Sequence, residues 1–393
     1  MLKESFCPSC GSAGLLPFYE VKGVPVHSCL MTTTKREALE FPCGDILLGF
    51  CKICGFISNI AYDPKFQNYS SGYEDQQCFS PTFNTFAHDL AKRLIDKYNL
   101  FNKQIVEIGC GKGDFLLLLC ELGHNRGVGI DPAWVPERVR SEAADRVLFI
   151  PEYYSDKHGK YSGDLICCRH TLEHIYSTAD FVKTIRQAVD RREDSIVFFE
   201  VPDVGRVLRE LAFWDIYYEH CSYFSPGTFA RLFRFCGFQI IDLSKAFADQ
   251  YLLIETRPTN KQANQLHQLE ETAEQMARDV EYFSIRCSKK LDHWKEFFRK
   301  VRVNKRRAVV WGSGSKCVSF LTTIEIEKEI EYVIDVNPYR HGKFIPRAGK
   351  EVMPPEFLKE YKPDVILVMN PIYCKEIQEK LSEMNLAAEL VPV

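Results

Sequence analysis

A glycine-rich loop is the part of this sequence whose residue types and spacing most directly predict chemistry. It reads Glu107-Ile-Gly109-Cys-Gly111-Lys-Gly113-Asp and lies between a predicted buried strand and a predicted helix. Glycines in such a loop let the backbone approach a ligand closely. Asp131 ends the next predicted strand, where a carboxylate suits the two ribose hydroxyls of an adenosine group. The loop therefore predicts a site for an adenosine-containing ligand.

Two details favour S-adenosylmethionine (SAM) over a dinucleotide. Asp114 stands where the dinucleotide fingerprint has its third glycine. Glu107 repels a pyrophosphate but tolerates the cationic sulfonium and amino group of SAM, and the pattern resembles the class I methyltransferases. The alternative is a glycine turn in another kind of α/β domain. The residues expected to bind SAM are Glu107, Gly109, Gly111, Gly113 and Asp131, together with Tyr153, Arg169 and His170, which follow later predicted strands.

Two Cys-x-x-Cys pairs predict a metal site. They are Cys7-Pro-Ser-Cys10 and Cys51-Lys-Ile-Cys54. Thiolates at this spacing hold a tetrahedral Zn²⁺, and four thiolates leave no open position for catalysis, so the zinc is expected to be structural. The intervening stretch also contains Cys29 and Cys43, so the ligand set has alternatives, and four free cysteines in a chain with 16 cysteines is another interpretation.

Hydrophobic periodicity predicts the elements that must position these motifs. Apolar runs at 104–109, 127–131, 146–150, 164–168 and 195–200 predict buried parallel strands, and 238–243 and 251–255 add two more. A helix is predicted at 114–122, and another begins at Ser225-Pro226 and is closed by Gly237. Strands that alternate with helices predict an α/β fold with a doubly wound parallel sheet.

The chain divides into four predicted stretches. Residues 1–75 form a small, strand-poor zinc-binding module, and residues 76–258 form the Rossmann-like SAM domain. Residues 259–304 are predicted to be a solvated, charged helical linker, because apolar positions recur at roughly helical spacing among charged ones. Residues 305–393 alternate strand and helix again, which predicts a second Rossmann-like α/β domain.

Composition limits the classes of partner. Hydrophobic residues make up 46% and charged residues 26%, and the formal net charge of −3 gives no electrostatic attraction to nucleic acid. The start has no apolar signal core, and the longest purely apolar stretch is too short to span a bilayer. Cysteines within apolar runs favour a reducing compartment. We therefore expect a cytoplasmic protein, a monomer or weak oligomer, with a small-molecule substrate and no membrane or nucleic-acid partner.

The order of motifs along the chain resembles the sugar C-methyltransferases of deoxysugar pathways. The cysteine pairs and the glycine loop are followed by Tyr217-Tyr-Glu219-His220, and the last stretch contains Gly312-Ser-Gly314 and Asp335. The resemblance covers nearly the whole chain. It implies a zinc module, a SAM domain and a C-terminal Rossmann-like domain, with a nucleotide-linked 4-keto-6-deoxy sugar in the cleft between them and methylation at its C3.

The expected chemistry is carbon methylation through an enolate. A proton next to a ketone can be removed by a base poised near neutral pH if the enolate is stabilised. His220 is the natural base, Glu219 could orient it or tune its pKa, and Tyr217 could donate a hydrogen bond to the enolate oxygen. The resemblance implies that His174 is a second active-site histidine. It also implies a tyrosine from the end of the zinc module, either Tyr69 or Tyr73, with Tyr73 slightly favoured.

Departures from the family leave other functions open. Cys317 stands where a third glycine would follow Gly312 and Gly314, and residues 344–349 differ from the antibiotic-sugar enzymes. The sugar and the methylated atom therefore stay open. One alternative is a SAM-dependent methyltransferase acting on oxygen or nitrogen of another small molecule, or on RNA gripped by the zinc module. Another is a chain whose C-terminal domain binds a dinucleotide, as a reductase or scaffold.

Overall fold

Three β-sheets organise the chain in the computed structural model, which describes residues 6–67, 69–138, 140–190, 192–261, 265–326 and 328–393. The first sheet is antiparallel and contains β1 (Leu16–Pro25), β2 (Cys43–Phe50) and β3 (Ile57–Asn59), with the short helix α1 (Lys35–Leu39) between β1 and β2. The expectation of a strand-poor module is therefore wrong. Two register shifts interrupt the β1–β2 pairing, and such irregularities hide the alternation that marks a strand in sequence.

The central sheet carries the predicted SAM domain. Its elements are α2 (Pro81–Tyr98), β4 (Gln104–Ile108), α3 (Asp114–Gly123), β5 (Arg126–Ile130), β6 (Val147–Ile150), β7 (Leu165–Arg169), α4 (Thr178–Ala188), β8 (Ile196–Pro202), α5 (Val204–Glu210), β9 (Ser222–Tyr223), α6 (Pro226–Phe235), β10 (Phe238–Ala246) and β11 (Tyr251–Pro258). Seven of these strands pair in the order β10-β11-β8-β7-β4-β5-β6. The two-residue strand β9 instead joins the first sheet by pairing with β3. The predicted Rossmann-like sheet is confirmed.

One hairpin departs from the purely parallel sheet that the alternation of strands and helices predicted. β11 runs antiparallel to both β10 and β8, whereas β4, β5, β6, β7 and β8 pair in parallel. Only four residues separate β10 from β11, and so short a link cannot make the crossover that a parallel pair needs. Apolar side chains fill both faces of the sheet, with α2 and α3 on one side and α4 and α6 on the other.

The long helix α7 (Ala273–Val303) differs from the solvated linker that its charge pattern predicted. It covers only the second part of the expected stretch, and one face is buried at Met276, Val280, Phe283, Cys287, Trp294, Phe298 and Val301. The Phe283 ring packs edge-on against Tyr19 of β1, and Trp294 packs against Phe320 of the last domain. The helix therefore packs against both the N-terminal module and the last domain. Within the part of the chain that the structure describes, neither α7 nor any other helix is long and apolar enough to cross a bilayer.

The C-terminal sheet is parallel throughout. Its elements are β12 (Ala308–Trp311), α8 (Ser315–Ile324), β13 (Ile330–Ile334), β14 (Glu351–Met353), α9 (Leu358–Tyr361), β15 (Val365–Val368), α10 (Cys374–Glu383) and β16 (Glu389–Pro392). The strand order is β14-β13-β12-β15-β16. The loop after β12 and the start of α8 face the carboxyl ends of the central strands across a cavity. The predicted second Rossmann-like domain is present.

Candidate active site

One large cavity lies between the N-terminal module, the central domain and the C-terminal domain. Its volume is about 1400 Å³, above the roughly 300–1,000 Å³ of a single small-molecule site. The lining includes Tyr69 and Tyr73 from the first part, the glycine loop and the His174–His220 region from the central domain, and Gly312, Gly314, Ser315 and Arg340 from the last domain. The carboxyl ends of parallel strands are where α/β folds bind ligands, so this cavity is the candidate site.

The glycine loop forms one wall of the cavity. Gly109 has a φ of +71°, and a Cβ there would lie 1.9 Å from Thr171 Oγ1. A Cβ on Gly111 would have only the Asp75 carboxylate within 4 Å, at 3.9 Å, so this glycine borders open space. Gly113 is not among the cavity-lining residues of the described chain. A Cβ at Gly113 would meet the Phe149 ring at 2.6 Å, so this glycine permits packing of the loop, and its contact with the cofactor stays a prediction.

Glu107 contributes to this wall a carboxyl group with one unpartnered oxygen. Its side chain is 2% exposed, and its Oε2 has no hydrogen-bond partner among the described residues. Burial raises the pKa of Glu107 to about 8. An uncompensated buried carboxyl group is costly, and a ligand cation would compensate it. Glu107 and the open face of Gly111 therefore fit the sulfonium and amino group of SAM.

The other predicted SAM residues all line the cavity, but several already have protein partners. Asp131 Oδ2 accepts a hydrogen bond from Gly111 N at 2.8 Å, and its Oδ1 accepts one from Ala133 N at 2.6 Å. The Tyr153 hydroxyl accepts a hydrogen bond from Tyr69 N at 3.0 Å, and Tyr153 is 50% exposed. Asp131 thus fixes the loop conformation, and Tyr153 leaves an exposed ring for a ligand.

Arg169 and His170 form a buried ion cluster with Glu200. The Arg169 guanidinium donates to both oxygens of Glu200, at 3.0 and 3.2 Å, and His170 Nε2 lies 2.6 Å from Glu200 Oε1. Burial opposes the charge on Glu200, but Arg169 and His170 outweigh it and lower the pKa of Glu200 to about 2. Because Glu200 is fully buried, both cations are held at the base of the cavity. Arg169 and His170 both also border the cavity.

Two histidines and two tyrosines converge on the middle of the cavity. The rings of His174 and His220 lie 4.7 Å apart and nearly perpendicular, and Tyr217 lies 4.0 Å from His220. His174 Nδ1 lies 2.6 Å from the Tyr69 hydroxyl. No group in the described part of the chain hydrogen-bonds the His220 imidazole. Burial, aided by the nearby histidines, lowers the pKa of His220, and burial raises the pKa of Tyr217. His220 therefore stays neutral, and the Tyr217 hydroxyl keeps its proton.

Glu219 points away from His220, contrary to the prediction that it orients or tunes the base. Its Oε2 accepts from Ser28 N at 3.2 Å and lies 3.0 Å from His27 Nδ1. The Tyr73 hydroxyl donates to its Oε1 at 3.3 Å. The side chain therefore anchors the zinc module to the segment that carries His220. The backbone carbonyl of Glu219, by contrast, lies 3.1 Å from Nδ1 of the active-site residue His174.

The sequence patterns did not identify Lys112, His27 or Ser28 as residues that connect the N-terminal module to the glycine loop and to the segment that carries His220. Lys112 is 2% exposed, and its ammonium donates to the backbone carbonyls of Tyr73, at 2.9 Å, and Ala133, at 2.5 Å. The structure thus ties the glycine loop to Tyr73, while Tyr69 is the tyrosine that contacts His174. A lysine between two loop glycines was a visible signal, because lysine is rarely buried without a role. His27 and Ser28 had no such signal.

The four predicted metal ligands form one cluster. The sulfurs of Cys7, Cys10, Cys51 and Cys54 all lie within 4.8 Å of one another, with 3.6 Å between Cys7 and Cys54 and 3.8 Å between Cys10 and Cys51. Four sulfurs around a tetrahedral Zn²⁺ at a bond length of about 2.3 Å are about 3.8 Å apart. The geometry therefore fits zinc. Cys29 lies elsewhere, 3.5 Å from Ser315 Oγ.

Gly109→Ala is expected to weaken SAM binding by about tenfold or more, because it adds left-handed strain to a clash with Thr171. Gly14→Ala is a matched control, since Gly14 has a φ of +86° but no atom near a Cβ. Calorimetric titration with SAM measures both variants. Equal SAM affinity in the two variants would show that the approach of Thr171 to the loop does not matter.

SAM affinity is expected to rise with pH from about pH 6 to about pH 7.5, by up to about tenfold per unit. Below its pKa of about 8, Glu107 is protonated in the free protein, and a cationic ligand favours the ionised carboxylate, so binding releases a proton. Calorimetry in two buffers of different ionisation heat measures this release. Glu107→Gln should abolish it, and a wild-type affinity that is independent of pH contradicts the assignment.

The chain is similar to several known proteins. Two family models match, a methyltransferase domain over residues 83–243 and a C-methyltransferase C-terminal domain over residues 250–390. The C-methyltransferase NovU of Streptomyces niveus is 26% identical over 313 residues, which cover 74% of this chain and 72% of that protein. The dimethyltransferase RosA of Streptomyces davawensis matches 45% of this chain and 54% of its own at 20% identity, with a TM-score of 0.37. The 1,6-didemethyltoxoflavin-N1-methyltransferase of Burkholderia thailandensis matches 46% and 82% at 15% identity, with a TM-score of 0.34.

Proposed function

Because this chain is a SAM-dependent methyltransferase with the domain pair of the C-methyltransferases, we propose that it methylates C3 of a nucleotide-linked 4-keto-6-deoxy sugar. The observation that carries this proposal is the shared cavity. The glycine loop and the His174–His220 pair border the same space as the last domain. A space of about 1400 Å³ is large enough for SAM and a second ligand of nucleotide-sugar size.

The last domain supports a substrate that carries phosphate. The amino end of α8 borders the cavity at Gly314 and Ser315. Arg340 is 5% exposed, and its Nε has no hydrogen-bond partner among the described residues. A Cβ on Gly314 would lie 3.7 Å from Arg340 Nη1, so this guanidinium lies beside the helix end. Helix amino ends and arginines both bind phosphate groups, so the diphosphate of the substrate is assigned to this position.

In the proposed reaction His220 removes the C3 proton of the substrate. Its ring is 5% exposed, borders the cavity and carries no hydrogen bond from the described residues, so a lone pair is available to accept the proton. Tyr217, whose ring lies 4.0 Å from that of His220, donates a hydrogen bond to the 4-keto oxygen as negative charge develops there.

Carbon–carbon bond formation completes the reaction. SAM supplies an electrophilic methyl group on a sulfonium. The glycine loop and Glu107 would hold the sulfonium beside the substrate, where C3 would form a bond to the methyl carbon as the sulfur–carbon bond breaks. His220 then passes the abstracted proton to solvent, and S-adenosylhomocysteine leaves.

The four-cysteine cluster is assigned a structural Zn²⁺. Each pair sits in the same kind of turn, in which a glycine amide donates at 2.8 Å to the carbonyl of the first cysteine, Gly11 to Cys7 and Gly55 to Cys51. Arg231 of α6 donates to the Cys54 carbonyl at 3.1 Å. A Zn²⁺ held by these four cysteines would fix the module against the catalytic domain and would lie outside the cavity in which the reaction is proposed to occur.

Mass spectrometry of a reaction with methyl-deuterated SAM and a nucleotide-linked 4-keto-6-deoxyglucose tests the function. The expected product gains one labelled methyl group and loses the hydrogen at C3. In deuterated water without SAM, the C3 hydrogen should exchange with solvent.

Three results would overturn the assignment. A methyl group on oxygen or nitrogen would place the enzyme among the other small-molecule methyltransferases. SAM binding without transfer would redirect the search to other acceptors, RNA included. Methylation at C3 by an enzyme that does not exchange the C3 hydrogen with solvent in the absence of SAM would contradict the enolate mechanism.

A further inference from the structure

Three side chains on one side of the cavity form a second cluster of metal-binding types. Glu173 and His174 come from the turn after β7, and His220 comes from the segment before β9. Their ligand atoms all lie within 4.8 Å of one another. All three border the cavity, and Glu173 and His220 are 2% and 5% exposed. The cluster is thus buried but open to a small ligand.

Glu173 carries the first argument. Neither oxygen of its carboxylate has a hydrogen-bond partner among the described residues. The nearest ionisable nitrogen is His170 Nδ1, at 3.5 Å from Oε1. His170 therefore offsets part of the charge of Glu173, but both carboxylate oxygens keep lone pairs that no hydrogen bond from the described residues uses. A metal ion bound to Glu173 would use them.

The orientation of His174 is the second, independent argument. Its Nδ1 contacts two protein oxygens, the Glu219 carbonyl at 3.1 Å and the Tyr69 hydroxyl at 2.6 Å. Nε2 is therefore the ring nitrogen that is left to ligate a metal, with Nδ1 then donating to the carbonyl. Histidines that ligate metals usually donate their other ring N–H to a carbonyl or carboxylate in this way.

We propose that Glu173, His174 and His220 bind one divalent transition-metal ion of the zinc class and that this ion inhibits the enzyme. Two imidazoles and one carboxylate form a known set of protein ligands for open zinc sites. In a tetrahedral site with bonds of about 2.0–2.2 Å, the ligand atoms are about 3.4 Å apart, so small side-chain rotations close the present spacing. The metal site stands alone, whereas the inhibition rests on the proposed role of His220, whose lone pair the ion occupies.

Titration of the zinc-loaded protein with Co²⁺ tests the site by its visible d–d absorption. We expect one further equivalent of Co²⁺ to bind without the thiolate charge-transfer band that cobalt at the cysteine cluster would give. Glu173→Gln and His174→Asn should each weaken this binding by about tenfold or more. His124→Asn is the matched control, because His124 is exposed and has a φ of +51° that asparagine tolerates.

Unchanged SAM affinity shows that each variant is folded. If the zinc-loaded protein binds no Co²⁺, or if Co²⁺ binding survives both substitutions, the proposed metal site is wrong. Added Zn²⁺ should also inhibit turnover competitively with the sugar substrate. If no turnover is found, the cobalt titration still decides the metal site, so its failure and that of the proposed function are distinguishable. Cobalt binding without Zn²⁺ inhibition of an active enzyme overturns the inhibitory role.

Discussion

His220→Asn is expected to lower kcat by about 10²–10⁴-fold and to leave the Kd for SAM unchanged. Asparagine keeps hydrogen-bonding capacity at this buried position but cannot accept a proton from carbon. The His220 ring has no hydrogen bond from the described part of the chain to lose, so the substitution should disturb the fold little. Steady-state kinetics and calorimetric SAM binding are the measurements.

A hydrogen-exchange experiment separates His220 from its neighbour His174. In deuterated water, the C3 hydrogen of the substrate exchanges only if the base works. His220→Asn should abolish exchange, whereas His174→Asn, which breaks the contact with the Tyr69 hydroxyl, should slow it. The opposite result would move the role of base to His174. A fall in kcat of less than about tenfold in His220→Asn would remove that residue from the proton transfer.

Cys51→Ser is expected to remove the zinc and unfold the N-terminal sheet. Structural zinc contributes about 10–16 kcal/mol of folding free energy in small zinc domains, and Cys51 is one of four ligands in the cluster. The zinc content measured by elemental analysis should fall from one ion per chain toward none, and thermal unfolding should begin at a lower temperature. Turnover should also fall, because β3 pairs with β9, two residues after His220.

Cys43→Ser is the matched control for the zinc experiment. Cys43 lies in the same module but is exposed and outside the cluster. Its replacement should leave zinc content and the thermal melt unchanged. Full zinc content in Cys51→Ser would contradict the ligand assignment, and full activity in a zinc-free protein would contradict the coupling of the module to the active site.

The sequence was sufficient wherever the signal is local. The glycine loop and the strand before it are contiguous, so periodicity and glycine spacing located them within a residue or two. Ser225 and Pro226 likewise begin α6 as predicted, because capping depends on the four residues nearest the helix start. Two Cys-x-x-Cys pairs converge because each turn is short and the metal chemistry is specific.

Prediction failed where contacts join distant parts of the chain. The partners of Glu219 are His27 and Ser28, which no pattern near Glu219 announces, so its side chain was assigned to its neighbour His220. The buried face of α7 was obscured because charged residues surround Phe283 and Trp294. The antiparallel direction of β11 could be read only from the length of the link that precedes it.

The pairing of β3 with β9 has a consequence for the order in which the chain is made. Ile57 and Ser58 leave the ribosome long before their partners Tyr223 and Ser222, with most of the SAM domain between them. The N-terminal sheet therefore spends that interval with an unpaired edge, and such edges recruit strands from other chains. Fragments that stop before Ser222 therefore leave exposed the edge of β3 that β9 covers in the longer chain.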